Sequence, residues 1–460
     1  MQVSARHARI TLLVVVLVLA LPLAGDFLAR SDNVDASQTG MDTVVANGSA
    51  PTVTEVNGSD DARMSDRPTG HLAYVVDAQG PGQLRVIDRA TGETILKRTD
   101  YELYHDVDPS PMGEQTLFYI ASNIRGEAVC PDHLESPCAQ DVFARINYST
   151  GERERLFERF VNYNGSSNVH DADRITDSTY LIADIQYDRV YIKNVKTGEI
   201  EWTWNAETAF NRSSGGAKND WTHVNDVEVL DEDLYMVNLR NQDQVVFLDR
   251  QTGMLENWTL GADGNHDILY EQHNTDYIPE SMGGPAILVA DSENDRIVEY
   301  QRENGSWNRS WLWTDETLQW PRDADRLPNN NTLVTDSLGT RLLEVTPNGS
   351  IVWQRAVPRG VYEAELLSTG AESDGGHSMA WIRGETRDTD VRSIDGVTGG
   401  IRTHVTGLFP ALVRHGFLYV LPTWVSPFAG VLLLLDLVVV VLWGAGEGGW
   451  VALRWYRARS

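Results

Sequence analysis

Imidazoles at equivalent places in a repeating chain are the groups here with chemistry to offer. His105, His170, His223 and His266 each open a run of strand-forming residues, and in three of them the next residue is Asp. Arg322-Asp323 and Tyr362-Glu363 open two more runs of the same kind. The chain has 11 histidines in 460 residues, so four at matching positions are poorly explained by chance. A neutral imidazole can serve as nucleophile or base near neutral pH, and its protonated form as acid. A ring of His and Arg in an acidic chain is a local positive site. It suits a small anion bearing sulfate, phosphate or carboxylate. The plain structural alternative is that His-Asp pairs only hold neighbouring units in register. A metal held by the histidines is a third reading, disfavoured by Arg240 and Arg322 at the same mouth. No metal and no cofactor are assigned. No Ser-His-Asp arrangement and no glycine-rich phosphate loop stands out.

The elements that must position these groups are short strands. QLRVIDRATG, VFARINYSTG, RVYIKNVKTG, QVVFLDRQTG, RIVEYQRENG and RLLEVTPNG each lead into a turn, at Gly92, Gly151, Gly198, Gly253, Gly305 and Gly349. Such turns favour tight hairpins, because Asn and Gly tolerate positive φ. Ahead of most of them lies a second hairpin beginning with a His or Arg head. Two hairpins give four strands per unit, and radial repetition of four-stranded units is a propeller. HLAYVVDA at the start and VYEAELLSTG (Val361 to Gly370) at the end complete one blade between them, which removes open edges. The fold class is therefore all-β, a six-bladed β-propeller closed by pairing of N- and C-terminal strands, with terminal membrane segments. In a propeller the innermost strand of each blade lines the channel. The heads should ring one opening.

A formal charge of −28 argues against nucleic acid as a partner. With 42% hydrophobic residues and 14 Trp, the chain can build a core. Only four of its 38 basic residues are lysine, a surface that fits high salt. The expected organisation is a signal peptide or membrane anchor at 1–30 and an acidic, disordered linker at 31–68. The propeller follows at 69–370, then a connector with an interfacial segment at 371–423. A transmembrane helix at 424–446 and a basic tail at 447–460 end the chain. Arg454, Arg457 and Arg459 place that tail in the cytoplasm and the propeller outside the cell membrane. There Cys130 and Cys138 should form a local disulfide. Sequons such as Asn147, Asn211, Asn257 and Asn348 fit a glycosylated outer face.

The run D-W-T-H-V-N (Asp220 to Asn225), a strand pair ending in Arg240, then Q-V-V-F-L-D-R-Q-T-G and a new unit at His266, resembles the bacterial arylsulfate sulfotransferases. V-H-D (Val169 to Asp171), Y-L-I-A-D and T-G-E-I-E-W-T-W resemble the preceding blade of that family. The resemblance spans roughly residues 100 to 360. It implies a six-bladed propeller that moves a sulfuryl group from an aryl sulfate to a phenolic acceptor through a sulfohistidine. His266 best matches the nucleophile; His273, in the insertion that follows, is a rival expected to sit on the hairpin away from the mouth. His223 and His170 match supporting histidines, and Arg240 the arginine on the sulfuryl oxygens. Asn225, Arg322 and His105 are assigned to substrate binding. The family's periplasmic members carry an N-terminal β domain and lack a C-terminal span; this chain has a short linker and an apolar C-terminal segment instead. The reading of a different class is a propeller without catalysis, binding an anionic glycan or a partner protein at its mouth.

Overall fold

The computed structural model describes residues 69–77, 81–110, 114–163, 169–315, 317–370, 375–384, 390–393, 411–421, 425, 429–441, 443 and 445. The chain divides into two units, residues 49–394 and residues 1–48 with 395–460. The expected N-terminal segment, the linker and the basic tail lie outside the described residues. In the second unit Ala411–Val420 and residues 429–441 are helical. Among the described residues no helix is long and apolar enough to cross a membrane. The span expected at 424–446 therefore has no counterpart among the described helices.

The first unit is a six-bladed β-propeller. Blade one runs from the channel outwards as Val361–Leu366, His71–Val76, Gln83–Asp88 and Thr94–Arg98, so the two ends of the repeat region close it. Blade two begins with Leu103–Pro109, blade three with Val169–Arg174 and blade four with Val224–Asp231. Blades five and six begin with Thr275–Ile278 and Pro321–Arg326. These six inner strands touch one another in a ring. All six expected turn glycines join the two outer strands of a blade, with φ between +74° and +85°. A Cβ is disfavoured in that region, and this is why glycine marks the repeat.

Each apolar cluster lies between two neighbouring blades, and together they fill all six gaps. Middle strands are thus covered on both faces. Thr179–Asp184 and Ala286–Asp291 are buried throughout, and they read as apolar runs without alternation for that reason. At the rim, tryptophans tie blades together. The Trp202 Nε1–H donates to Arg250 O of the next blade (2.9 Å), and the Trp313 Nε1–H to Gly349 O (3.1 Å).

Polar bonds tie the inner strands. Asp106 accepts the Ala172 N–H, Asp171 that of Val227, and Asp226 that of Thr275, at 2.7–3.1 Å. Asp323 accepts the Ala364 N–H (3.0 Å) and Glu363 that of Val107 (3.2 Å). In each case a carboxylate just inside the head of one inner strand holds the backbone of the next. By this spacing Asn274 fills the place in blade five. Deeper in, Asp173, Glu228 and Asp276 accept from Val229, Tyr277 and Arg326 in the same way.

Two expectations change. The fifth inner strand starts at Thr275, so its head is His273-Asn274 and not His266-Asp267. The segment after Gly370, read as a polar connector, continues onto the propeller. Its helix Met379–Arg383 packs with the cluster between blades five and six, and Asp390–Ser393 pairs in parallel with Ser306–Asp315 at the edge of blade five. Edge pairing of this kind covers unpaired backbone groups.

Trp313 is fully buried between two blades. Trp313→Ala should lower stability by about 3–5 kcal/mol. Val352→Ala, at a half-exposed site on an outer strand, should stay within about 0.5 kcal/mol. Urea denaturation of both variants checks the difference.

Candidate active site at the channel mouth

The residue preceding each clasping position is His105, His170, Asn225, His273, Arg322 and Tyr362 around the ring. His223 stands two residues before Asn225. All of these side chains are buried. The His105 and His170 rings stack at 5.0 Å, and His223 meets His170 edge-on at 5.1 Å. Tyr362 lies against His170 at 5.1 Å and against His273 at 5.9 Å. The Arg322 guanidinium sits over the Tyr362 ring (4.6 Å) and the Trp320 ring (4.2 Å). One aromatic and imidazole cluster therefore joins the histidines of four different blades.

Hydrogen bonds assign the ring protons. The Asn225 amide nitrogen donates to Asn274 Oδ1 (3.1 Å), which turns Asn225 Oδ1 towards His170. That oxygen accepts from the Tyr362 hydroxyl (2.8 Å), and His170 Nδ1 lies 2.6 Å from the same hydroxyl and 3.2 Å from Asn225 Oδ1. With both neighbours accepting, Nδ1 carries the proton. His223 Nδ1 donates to Asp220 Oδ1 at 2.7 Å. His273 Nδ1 meets Ser292 Oγ at 2.8 Å, and that hydroxyl gives its own proton to Pro321 O (2.6 Å). So three imidazoles hold Nδ1–H and present the Nε2 lone pair. His105 has no hydrogen bond at either nitrogen; its nearest charge is Asp77, 3.8 Å away.

Burial pushes the imidazole pKa down in every case. For His223 the Arg240 charge adds to burial, and for His273 Arg322 and Arg240 do; His170 and His273 fall well below the ordinary value. Burial also lowers His105. The ring expected to be cationic is thus a set of neutral imidazoles, and the positive charge comes from Arg322 and Arg240. Burial alone would raise the Asp220 carboxyl, but the His223 hydrogen bond and the charges of His223 and Arg240 bring it down to about 2. It is the ionised orienter of His223.

Arg240 opens the short turn Arg240–Gln242 after the strand Leu234–Leu239, and its backbone N–H donates to His223 O. Its guanidinium pairs with Glu271. Beside it lies a cleft of about 420 Å³ lined by Asp220, Arg240, Asp243, His266, Tyr270 and Glu271 among others. His266 is here and not in the ring. Its side chain is 46% exposed, its Nε2 is 3.3 Å from Asp243, and its ring stacks on Tyr270 at 3.7 Å. His223 itself has φ +48°, as Glu271 (+41°) and Trp320 (+55°) do at the same place in the next two blades. This left-handed residue belongs to the repeat and carries the chain over the mouth.

The structure brings together His105, His170, His223, Asn225 and Arg322, with Arg240 at the adjoining cleft, and leaves His266 outside the ring. It seats the expected head Tyr362 in the ring, brings His273 into the ring and not onto a hairpin away from the mouth, and adds Asp220 and Ser292 in positioning places. Cys130 and Cys138 form the expected disulfide, in the loop between Thr116–Arg125 and Cys138–Asn147.

The family model described as Arylsulfotransferase (ASST) matches residues 32–278. No curated protein matches the chain. Among solved structures, a protein of unknown function from Bacteroides caccae is 13% identical, with 65% of this chain and 98% of that one covered and a TM-score of 0.44. The periplasmic gluconolactonase of Pseudomonas aeruginosa is 11% identical, with 65% and 98% covered and a TM-score of 0.42. A chain of the nidogen/laminin complex is 12% identical, with 66% and 99% covered and a TM-score of 0.43. Likeness at this level bears on neither ligand nor activity.

The channel carboxyls predict a pH effect. Burial, against the Ala364 N–H, raises Asp323 to about 7. In the unfolded chain an Asp titrates near about 3.9. Between these values the folded state holds a proton that the unfolded state has released, so rising pH favours unfolding. Asn at 323 would accept the same N–H and not titrate. The melting temperature of Asp323→Asn relative to wild type should therefore climb from about pH 4 to about pH 7 and level off above. A difference that does not change with pH would contradict the raised pKa.

Proposed function

The chain belongs to the arylsulfotransferase family, whose reaction is sulfuryl transfer, and on that premise we propose that His273 is its nucleophile and the ring of imidazoles and arginines its reaction centre. The family implies an aryl sulfate donor and a phenolic acceptor. The observation that carries the assignment is the His273 hydrogen bond. Ser292 fixes Nδ1–H, so Nε2 faces substrate as a neutral lone pair, while Arg322 and Arg240 lie close enough to depress the imidazole. A sulfuryl group on that nitrogen would have its oxygens near both guanidiniums.

In the first half-reaction Nε2 of His273 attacks sulfur. The N–S bond forms, the bond from sulfur to the aryl oxygen breaks, and the electron pair leaves on the phenolate. The phenolate leaves as the anion, its charge met by Arg322 and Arg240, because the resting His223 is neutral. In the second half the acceptor phenol gives its proton to His223 Nε2 as its oxygen takes the sulfuryl group from His273 Nε2, and His223 then passes that proton to solvent or to the departed phenolate. Asp220 suits His223 to this duty as base, because it stabilises the protonated ring and fixes its orientation. His170 is held by Tyr362 and Asn225, which supports a positioning role for Asn225 beside the substrate-binding one. Transfer of this kind depends on alignment and on charge at the oxygens. A role limited to binding gains no support from three imidazoles set in one tautomer.

The propeller is proposed to work outside the cytoplasm, at a membrane held by the apolar segment 424–446. The Cys130–Cys138 disulfide supports the compartment, since thiols stay reduced in most cytosols.

The test is release of phenol from a chromogenic aryl sulfate, with and without an acceptor phenol. His273→Asn should lose about 10³-fold or more in turnover with the fold intact by circular dichroism. His266→Asn should stay within about tenfold, as a residue of the cleft and not of the ring. A dead His266→Asn beside an active His273→Asn would return the nucleophile to His266.

A further inference from the structure

Deeper in the channel than the imidazoles, the inner strands carry carboxylates where a lining usually mixes polar types. Asp106 and Asp108 on blade two and Glu363 on blade one bring one oxygen each within 4.8 Å of one another, and all three are buried. Two of them are already fixed by the fold. Asp106 uses Oδ2 on the Ala172 N–H, and Glu363 uses Oε1 on the Val107 N–H. Their other oxygens, Asp106 Oδ1 and Glu363 Oε2, are buried with no hydrogen-bond partner, although the residues are 0% and 5% exposed. Among the described residues no Arg, Lys or His forms an ion pair with any of the three. Their charged neighbours are further acids: Asp171, Asp173, Asp226 and Glu365.

A buried oxygen without a donor is costly, and three carboxyls side by side resist ionising together. A proton or a cation can satisfy them. The neighbouring trio Asp323, Asp325 and Glu365 takes the first route, since Asp323 and Asp325 bond to each other side chain to side chain. Asp106, Asp108 and Glu363 show no such internal bond. Hard oxygen donors that leave room for channel water match a calcium-like ion, which takes roughly 6–8 oxygens at about 2.3–2.6 Å and tolerates irregular geometry.

We propose that Asp106, Asp108 and Glu363 form a binding site for a hard divalent cation of the calcium class inside the propeller channel. The ion joins blade one to blade two across the seam where the chain ends close the ring. It is a structural site, separate from the sulfuryl chemistry at the mouth.

The experiment is thermal unfolding of the full chain at one pH and one ionic strength, in excess EDTA and in CaCl₂, with NaCl making up the difference. For wild type, calcium at about 100 times its Kd should raise the melting temperature by about 5 °C. Asp108 accepts no backbone clasp, so Asp108→Asn keeps the ring intact. It should melt at or above wild type in EDTA, because one of three crowded acids is gone, and should lose most of the calcium shift. Calorimetric titration with CaCl₂ should give one site in wild type and at least a tenfold weaker one in the variant. Equal melting of wild type in calcium and in EDTA would overturn the proposal. So would an undiminished calcium shift in Asp108→Asn.

Discussion

Everything at the mouth depends on one bond type: a carboxylate at the start of one inner strand accepting a backbone N–H from the next. Five of the six junctions use it directly through Asp106, Asp171, Asp226, Asp323 and Glu363. Each such bond fixes two things at once, the register of the neighbouring blade and the direction of the residue just before the carboxylate. That preceding residue is the functional one. Thus His170, Arg322 and Tyr362 face the axis because Asp171, Asp323 and Glu363 are tied sideways. Interior bonds to charged or partly charged groups are worth of order 1–3 kcal/mol each. The apolar clusters between blades supply cohesion, but they are non-directional and could not set these angles.

The same bonds explain the electrostatics. Carboxyls needed for register sit in the channel, where burial raises their pKa: Asp173 and Asp226 rise to about 6. Imidazoles next to them are desolvated too and become neutral. The mouth is therefore a layered device, with neutral bases and two guanidiniums at the rim and an acidic wall beneath. A histidine kept neutral by burial can attack, whereas a protonated one could not.

Most of the fold could be read in the chain. The turn glycines, the strand pairs and the closure by His71–Val76 with Val361–Leu366 all follow from local rules of backbone conformation and edge protection. The head residues of four blades were equally legible, since His-Asp, Arg-Asp or Tyr-Glu marks them. Blade five was not. There the clasping place is taken by Asn274, so the true head His273-Asn274 lacks the acidic mark, while His266-Asp267 in a surface loop carries it by coincidence. Distance was the available signal: Asn274 lies much nearer than Asp267 to Ala286, where the second strand begins. The charge of the ring could not be read from residue types either, because desolvation and the pairing of Arg240 with Glu271 arise only once the blades are assembled. Tyr362 as partner of His170 is a contact between blades, and Ser292 as partner of His273 is a contact between two strand ends of blade five 19 residues apart, so neither has a local signature.

The acidic wall also governs traffic. A sulfated anion that has reached the imidazoles meets Asp106, Asp171, Asp226, Asp323 and Glu363 one residue further in, acids that burial pushes towards the neutral form and that no guanidinium pairs with among the described residues. The cations that favour its oxygens, Arg322 and Arg240, lie at the mouth, so the rim beside Arg240 serves donor and acceptor alike. On the proposed reaction the spent phenol has to leave before the next one can enter. Two substrates that never share the room need no second binding chamber, and one small pocket can serve a broad set of phenols in turn.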